Sequence, residues 1–195
     1  MEYYEVIKKR KSVRKYKSDR IPDDVLNRIL DAGRLAPSAK NYQPWHFIVI
    51  REPEMKQKVA EACVNQHFIA EADVIICGCA LEKIAWDRMG NYMASWPHDL
   101  SIALDHIILA AANEGLGTCW IGKFDEKMVK DLLQIPEEVR VVALTPVGYP
   151  AEVPKERRRL ELKEIVSYEK FETSRNIQIR EKPSETKRQG DTVKG

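Results

Sequence analysis

The sequence predicts an α+β fold. Three observations lead there: helix-period and strand-like apolar segments intermix, no regular βαβ alternation links them, and one run, DVIICGCA at 73–80, has the length and apolarity of a strand buried on both faces. A chain of 195 residues fits one domain with its own core. We place that domain at 1–172 and read 173–195 as a polar tail, because KPSETKRQGDTVKG supplies nothing apolar to bury.

The elements follow in order. Residues 2–10 carry Tyr3, Val6, Ile7 and Arg10 at helical spacing. A second helix opens near Pro22-Asp23 with Val25, Leu26, Ile29 and Leu30 as its stripe, and Pro37 stops it. Residues 37–45 form a polar loop between prolines, and HFIVI at 46–50 reads as a strand. Pro53 opens a helix over 53–62. The segment 82–97 has no clean period and reads as a short helix plus loop.

The longest helix is expected over 99–114, with Leu100, Ala103, Leu104, Ile107, Ile108, Ala111 and Ala112 on one side, Asp99 as N-cap or dipole partner, and Gly115 ending it. TCWIG at 118–122 reads as a strand, 125–134 as a helix capped by Asp125, and 139–150 as a strand. Leu160, Leu162, Ile165 and Val166 suit one more short helix.

Composition narrows the function. Basic and acidic side chains number 32 and 30, so net charge argues for no general nucleic-acid role. No apolar run approaches the ~20 residues of a membrane span. The charged N-terminus has no apolar signal segment, so the expected compartment is the cytoplasm. Cys63, Cys77, Cys79 and Cys119 lack zinc-ligand spacing and read as buried thiols, with Cys77 and Cys79 on one strand face. His106 falls within an apolar helix, where a structural role is expected. There is no P-loop, no GxGxxG and no G-x-S-x-G elbow.

Four segments carry candidate chemistry. Arg10, Lys11, Ser12 and Arg14 combine guanidinium forks with a hydroxyl, a set suited to phosphate. Pro37-Ser38-Ala39-Lys40-Asn41-Tyr42-Gln43-Pro44-Trp45 is a stiff loop rich in amides and hydroxyls. Glycines 115, 117 and 122 allow close backbone approach to a ligand. Lys155 and Arg157 belong to a second basic cluster. Two readings fit the basic clusters: solvated faces, or cations from both ends of the chain converging on one phosphate. Trp86, Tyr92 and Trp96 are likewise open between stacking on flat acceptors and packing.

Taken together, Arg-x-Ser-x-Arg at 10–14, PSAKNYQPW at 37–45, GLGTCWIG at 115–122 and Pro154-Lys155-Glu156-Arg157 resemble, in this order, the FMN-dependent nitroreductase family over about residues 3–170. The resemblance implies a sandwich with a mostly antiparallel sheet flanked by helices, in an intertwined homodimer with FMN at the interface. It implies that Arg10, Lys11, Ser12 and Arg14 meet the flavin phosphate and pyrimidine edge, and that Lys155 and Arg157 close on the phosphate. Pro37, Ser38, Ala39 and Asn41 reach the flavin from the other subunit, Ile121 and Gly122 offer backbone near N5, and Asn65 and Gln66 face its polar edge. Lys11 stands where the family often has Arg or His, and Lys123 where small or acidic residues are common. No metal and no protein nucleophile is implied. The activity implied is ping-pong hydride transfer from NADH or NADPH to nitro-aromatics, quinones or similar acceptors. Reductive dehalogenation, flavin fragmentation and non-enzymatic flavin binding are the alternatives on the same fold.

Overall fold

The computed structural model describes residues 2–173. The chain divides into two compact units, Met1–Pro154 and Lys155–Gly195. All but the first residue of the expected tail lies outside the described residues.

The first unit runs α1 (Tyr3–Lys9), α2 (Asp23–Arg34), β1 (Trp45–Ile50), α3 (Pro53–Ala62), α4 (Phe68–Glu71), β2 (Val74–Leu81), α5 (Trp96–Asn113), β3 (Gly117–Thr118), α6 (Glu126–Leu133) and β4 (Val139–Gly148). The strands form one sheet in the order β1-β2-β4-β3, every neighbour antiparallel. The expected α+β class with an antiparallel sheet is therefore what the chain adopts. In the second unit α7 (Leu162–Ile165) is closed by a capping box between Glu161 and Glu164.

β2 explains the layering. Its side chains alternate between two cores. Val74, Ile76 and Ala80 pack with Ile29, Leu100 and Leu104 from α2 and α5. Ile75, Cys77 and Cys79 pack with Val59, Ala60 and Val129 from α3 and α6. Helices thus cover both faces, and each fully buried Ile or Leu contributes about 1.5–3 kcal/mol. Gly33 and Gly78 let α5 come close: a Cβ at Gly33 would stand 2.7 Å from Ile107, and one at Gly78 would stand 2.8 Å from Leu104. The four thiols are buried, and Cys77 and Cys79 share a face with their sulfurs 3.9 Å apart, as the spacing of two requires. Burial pushes the Cys63 thiol up to about 11.

Two expectations are corrected. α5 starts at Trp96, with Pro97 in its first turn and Ser95 at the N-cap position, so Asp99 is not the cap; it stands in the first turn, as its dipole alternative requires. The strand expected at 118–122 is interrupted. β3 pairs Thr118 with Val147, and the same register returns at Ile121 with Leu144. Ile121 and Leu144 exchange both backbone hydrogen bonds. The next such pair would set Cys119 opposite Pro146, which has no N–H to give.

Candidate functional site

The N-terminal cations are set by backbone pairing. α1 ends at Arg10, whose N–H donates to Val6 O. Beyond it the chain lies alongside β3: Ser12 bridges Thr118 in parallel, and Val13 N–H donates to Thr118 O at 2.8 Å. Val13 is buried against Gly117, where a Cβ would stand 2.7 Å away. Lys17 N–H donates to Tyr149 O and Ala151 N–H to Lys15 O, which extends the contact to the end of β4.

Pairing with Thr118 sets Ser12 next to the Cys119 segment, with Arg10 and Arg14 two residues to either side of it. Burial pushes the Cys119 thiol up, while the charges of Arg14 and Arg10 and a hydrogen bond with Ser12 pull it back down. Arg10 and Ser12 are half-buried and Arg14 is exposed. Among the described residues neither arginine forms an ion pair. Two guanidiniums and a hydroxyl without a carboxylate partner make an edge suited to an anion.

Arg10 and Lys11 also line a cavity of about 460 Å³ with Lys8, Lys9, Gly115–Thr118, Pro150 and residues 152–154. Asn65, Gln66, Ile121 and Gly122 are not among its lining residues.

A second cluster forms beside Ile121. Gln66 donates through Nε2 to Cys63 O at 2.8 Å and to Lys123 O at 3.3 Å, and Asp125 N–H donates to Ala62 O at 2.8 Å. These bonds bring Asn65 and Gln66 to Gly122–Lys123. Val64 and Asn65 both have left-handed backbone, φ 61° and 56°, which costs about 1–3 kcal/mol each and is unusual for a β-branched residue. Gly122 is exposed, and a Cβ there would meet nothing nearer than Trp120 Nε1 at 3.6 Å. Internal packing therefore does not require a glycine at this position.

The third cluster is the 37–45 loop. Its backbone is left-handed at Lys40, Asn41 and Gln43 (φ 52°, 56° and 50°). Ser38 Oγ accepts from Gln43 N–H at 2.9 Å, and Gln43 Nε2 reaches Asn41 at 3.3 Å. The anchor is Asp99. Its buried carboxylate accepts from Ala39 N–H at 2.9 Å and from Ser95 Oγ–H at 2.7 Å. These two hydrogen bonds hold the loop on the first turn of α5. Sequence reasoning missed this role. The only signal was a carboxylate in a first turn, which looks the same as ordinary helix capping.

The three clusters do not all meet within one chain. The Arg10–Thr118 edge lies past the C-terminal end of α5, while the 37–45 loop sits on its N-terminal turn. From Asp99 to Asn113 the helix rises roughly 20 Å. The loop also leads into β1 at one edge of the sheet, and Thr118–Ile121 follows the other edge, roughly 14 Å across. Lys155 and Arg157 are exposed residues of the second unit.

Of the aromatic candidates, Trp96 packs into the core beneath Arg140, Trp86 lies half-buried under the Lys40 ammonium, and Tyr92 is 82% exposed. His106 Nδ1 lies 3.3 Å from Ala32 O, consistent with its expected structural role. Among the described residues no helix is long and apolar enough to cross a membrane.

Comparison with known proteins agrees with the fold. A model of the Nitroreductase family matches residues 7–73 and 61–149. A Methanothermobacter thermautotrophicus protein named for NADH dehydrogenase or NAD(P)H nitroreductase activity is 38% identical, over 80% of this chain and 82% of that protein. The structure of a nitroreductase family protein from Clostridium difficile 630 matches with TM-score 0.81 and 30% identity, covering 88% of this chain and all of that one. An FMN-dependent nitroreductase from Clostridium difficile R20291 matches with TM-score 0.74 and 30% identity, covering 85% and 98%. On fold, motifs and these likenesses together, the chain belongs to the nitroreductase family of oxidoreductases.

Proposed function

We propose that the chain is a cytoplasmic, homodimeric FMN enzyme that carries hydride from NADH or NADPH to nitro-aromatics, quinones or similar electron-poor acceptors, the oxidised donor leaving before the acceptor binds. The observation behind this reading is the backbone pairing of Ser12 and Val13 with Thr118, which sets Arg10, Ser12 and Arg14 along one edge where, among the described residues, neither guanidinium forms an ion pair. The residues present fit a mononucleotide: cations and a hydroxyl for a phosphate, open backbone at Gly122, and a loop held rigid by Asp99.

When bound, FMN would supply the redox chemistry, accepting a hydride equivalent and passing it on. The chain's own residues bind and orient. Arg10, Lys11, Ser12 and Arg14, with Lys155 and Arg157, would hold the phosphate and pyrimidine edge. Arg14's positive charge would favour negative charge beside it. Ile121 and Gly122 would present backbone near the reacting end, and Asn65 and Gln66 would face its polar edge. Pro37, Ser38, Ala39 and Asn41 would complete the wall from the second subunit. The separation of that loop from the cation edge along α5 supports this division between two copies.

One spectrum tests the reading. The purified protein is expected to be yellow and to bleach on adding NADH or NADPH, then recover with a nitro-aromatic or quinone. Bleaching without recovery on those acceptors, but with recovery on a halogenated phenol, points to reductive dehalogenation. A colourless protein that takes up no FMN overturns the proposal. Replacing Arg10 and Arg157 together by Ala is expected to weaken FMN retention at least about a hundredfold, read by flavin released on gel filtration.

A further inference from the structure

The N-terminal end of α5 carries a closed circuit of contacts that includes two residues, Lys40 and Trp86, outside the proposed flavin wall. Asp99 holds Ala39 N–H and Ser95 Oγ–H. Ser95 N–H in turn donates to Trp86 O at 2.7 Å. Lys40, next to Ala39, closes the ring by setting its ammonium 5.6 Å from the centroid of the Trp86 indole. The loop from Trp86 to Ser95 is further pinched by Met89 N–H donating to Met93 O at 2.9 Å.

Lys40 is the only charged side chain in 37–45, and it is exposed. Among the described residues it makes no ion pair. The nearby charges on the other loop are Asp87 and Arg88, which lie 3.9 Å from each other. A lysine ammonium has three donors and nothing to accept with. Lying over an indole occupies one side of it and leaves N–H groups directed at solvent. A cation and an aromatic face thus stand fixed together beside Ala39 and Asn41.

We propose that Lys40 and Trp86 recognise the acceptor, and that the acceptor class favoured is a flat, electron-poor aromatic ring carrying a carboxylate. This rests on the reading of the chain as a flavin oxidoreductase. The ring lies against the indole and the carboxylate meets the ammonium. A neutral ring of the same shape has only the first contact.

The test is calorimetric binding of 4-nitrobenzoate and of 4-nitrobenzamide to the FMN-loaded full chain, without donor. The acid is expected to bind about tenfold tighter at low salt, the advantage shrinking as salt rises. Lys40→Gln is expected to bring the two affinities together, and Lys40→Arg to keep the preference. Trp86→Leu is expected to weaken both ligands. Equal affinities in the unaltered protein, or a preference that survives Lys40→Gln, overturn the proposal. A yellow, NADH-bleachable protein that does not discriminate sinks this inference alone. A protein that holds no flavin sinks the reading beneath it.

Discussion

The two ends of α5 are built by different means. At the C-terminal end the chain is held by many backbone contacts and by fit. Glu114 and Gly115 N–H groups close the helix on Ala110 and Ala112, Gly115 turns with φ 78°, and Ser12–Val13 pair with Thr118. At the N-terminal end one buried carboxylate holds two loops, through Ala39 and Ser95. The first end spreads its stability over groups that no single side-chain change removes. The second rests mainly on Asp99, which ties two loops to one helix turn.

The largest effect is expected where the dependence is narrowest. Asp99→Ala leaves Ala39 N–H and the Ser95 hydroxyl without their acceptor and should cost about 2–4 kcal/mol in denaturant unfolding. Amide exchange at Ala39 should quicken more than at Val13. If both amides respond alike, the contrast between the ends is wrong. Gly117→Val at the other end forces a branched side chain against Val13 and should cost about 1–3 kcal/mol, with faster exchange at Val13 and none of the change at Ala39.

The smallest effect concerns Glu114, which Arg28 holds with two hydrogen bonds of 3.1 Å. That guanidinium lowers the Glu114 carboxyl below its ordinary 4.5. A lowered acid stabilises the fold above its unfolded value, and the contribution disappears as pH falls through the folded one. Glu114→Gln should therefore lower Tm slightly at neutral pH, less in high salt, and not at all in strong acid.

The amount of this that was legible in the sequence followed the range of the interactions. β2 and α5 were readable because their periods report burial directly, and the facing of Cys77 and Cys79 follows from a spacing of two. The interruption at Cys119 was hidden because its cause, Pro146, sits on another strand. The cation edge is legible as a motif, yet its alignment exists only through pairing of Ser12 with Thr118. Asp99 reads as a helix-start residue, but its partner Ala39 stands 60 positions earlier, and no local pattern links them. Lys40 carries no role in the sequence, because Trp86 is likewise remote along the chain.

The bridge from Ser12 to Thr118, and the bond from Lys17 to Tyr149, also order events during synthesis. The arginines leave the ribosome before the backbone that aligns them, Thr118 and Tyr149. A nascent chain halted before β4 carries the cations without the completed edge that arranges them. Such long-range pairing is slow to form, so the alignment of the cations is a late step, coupled to completion of the first unit.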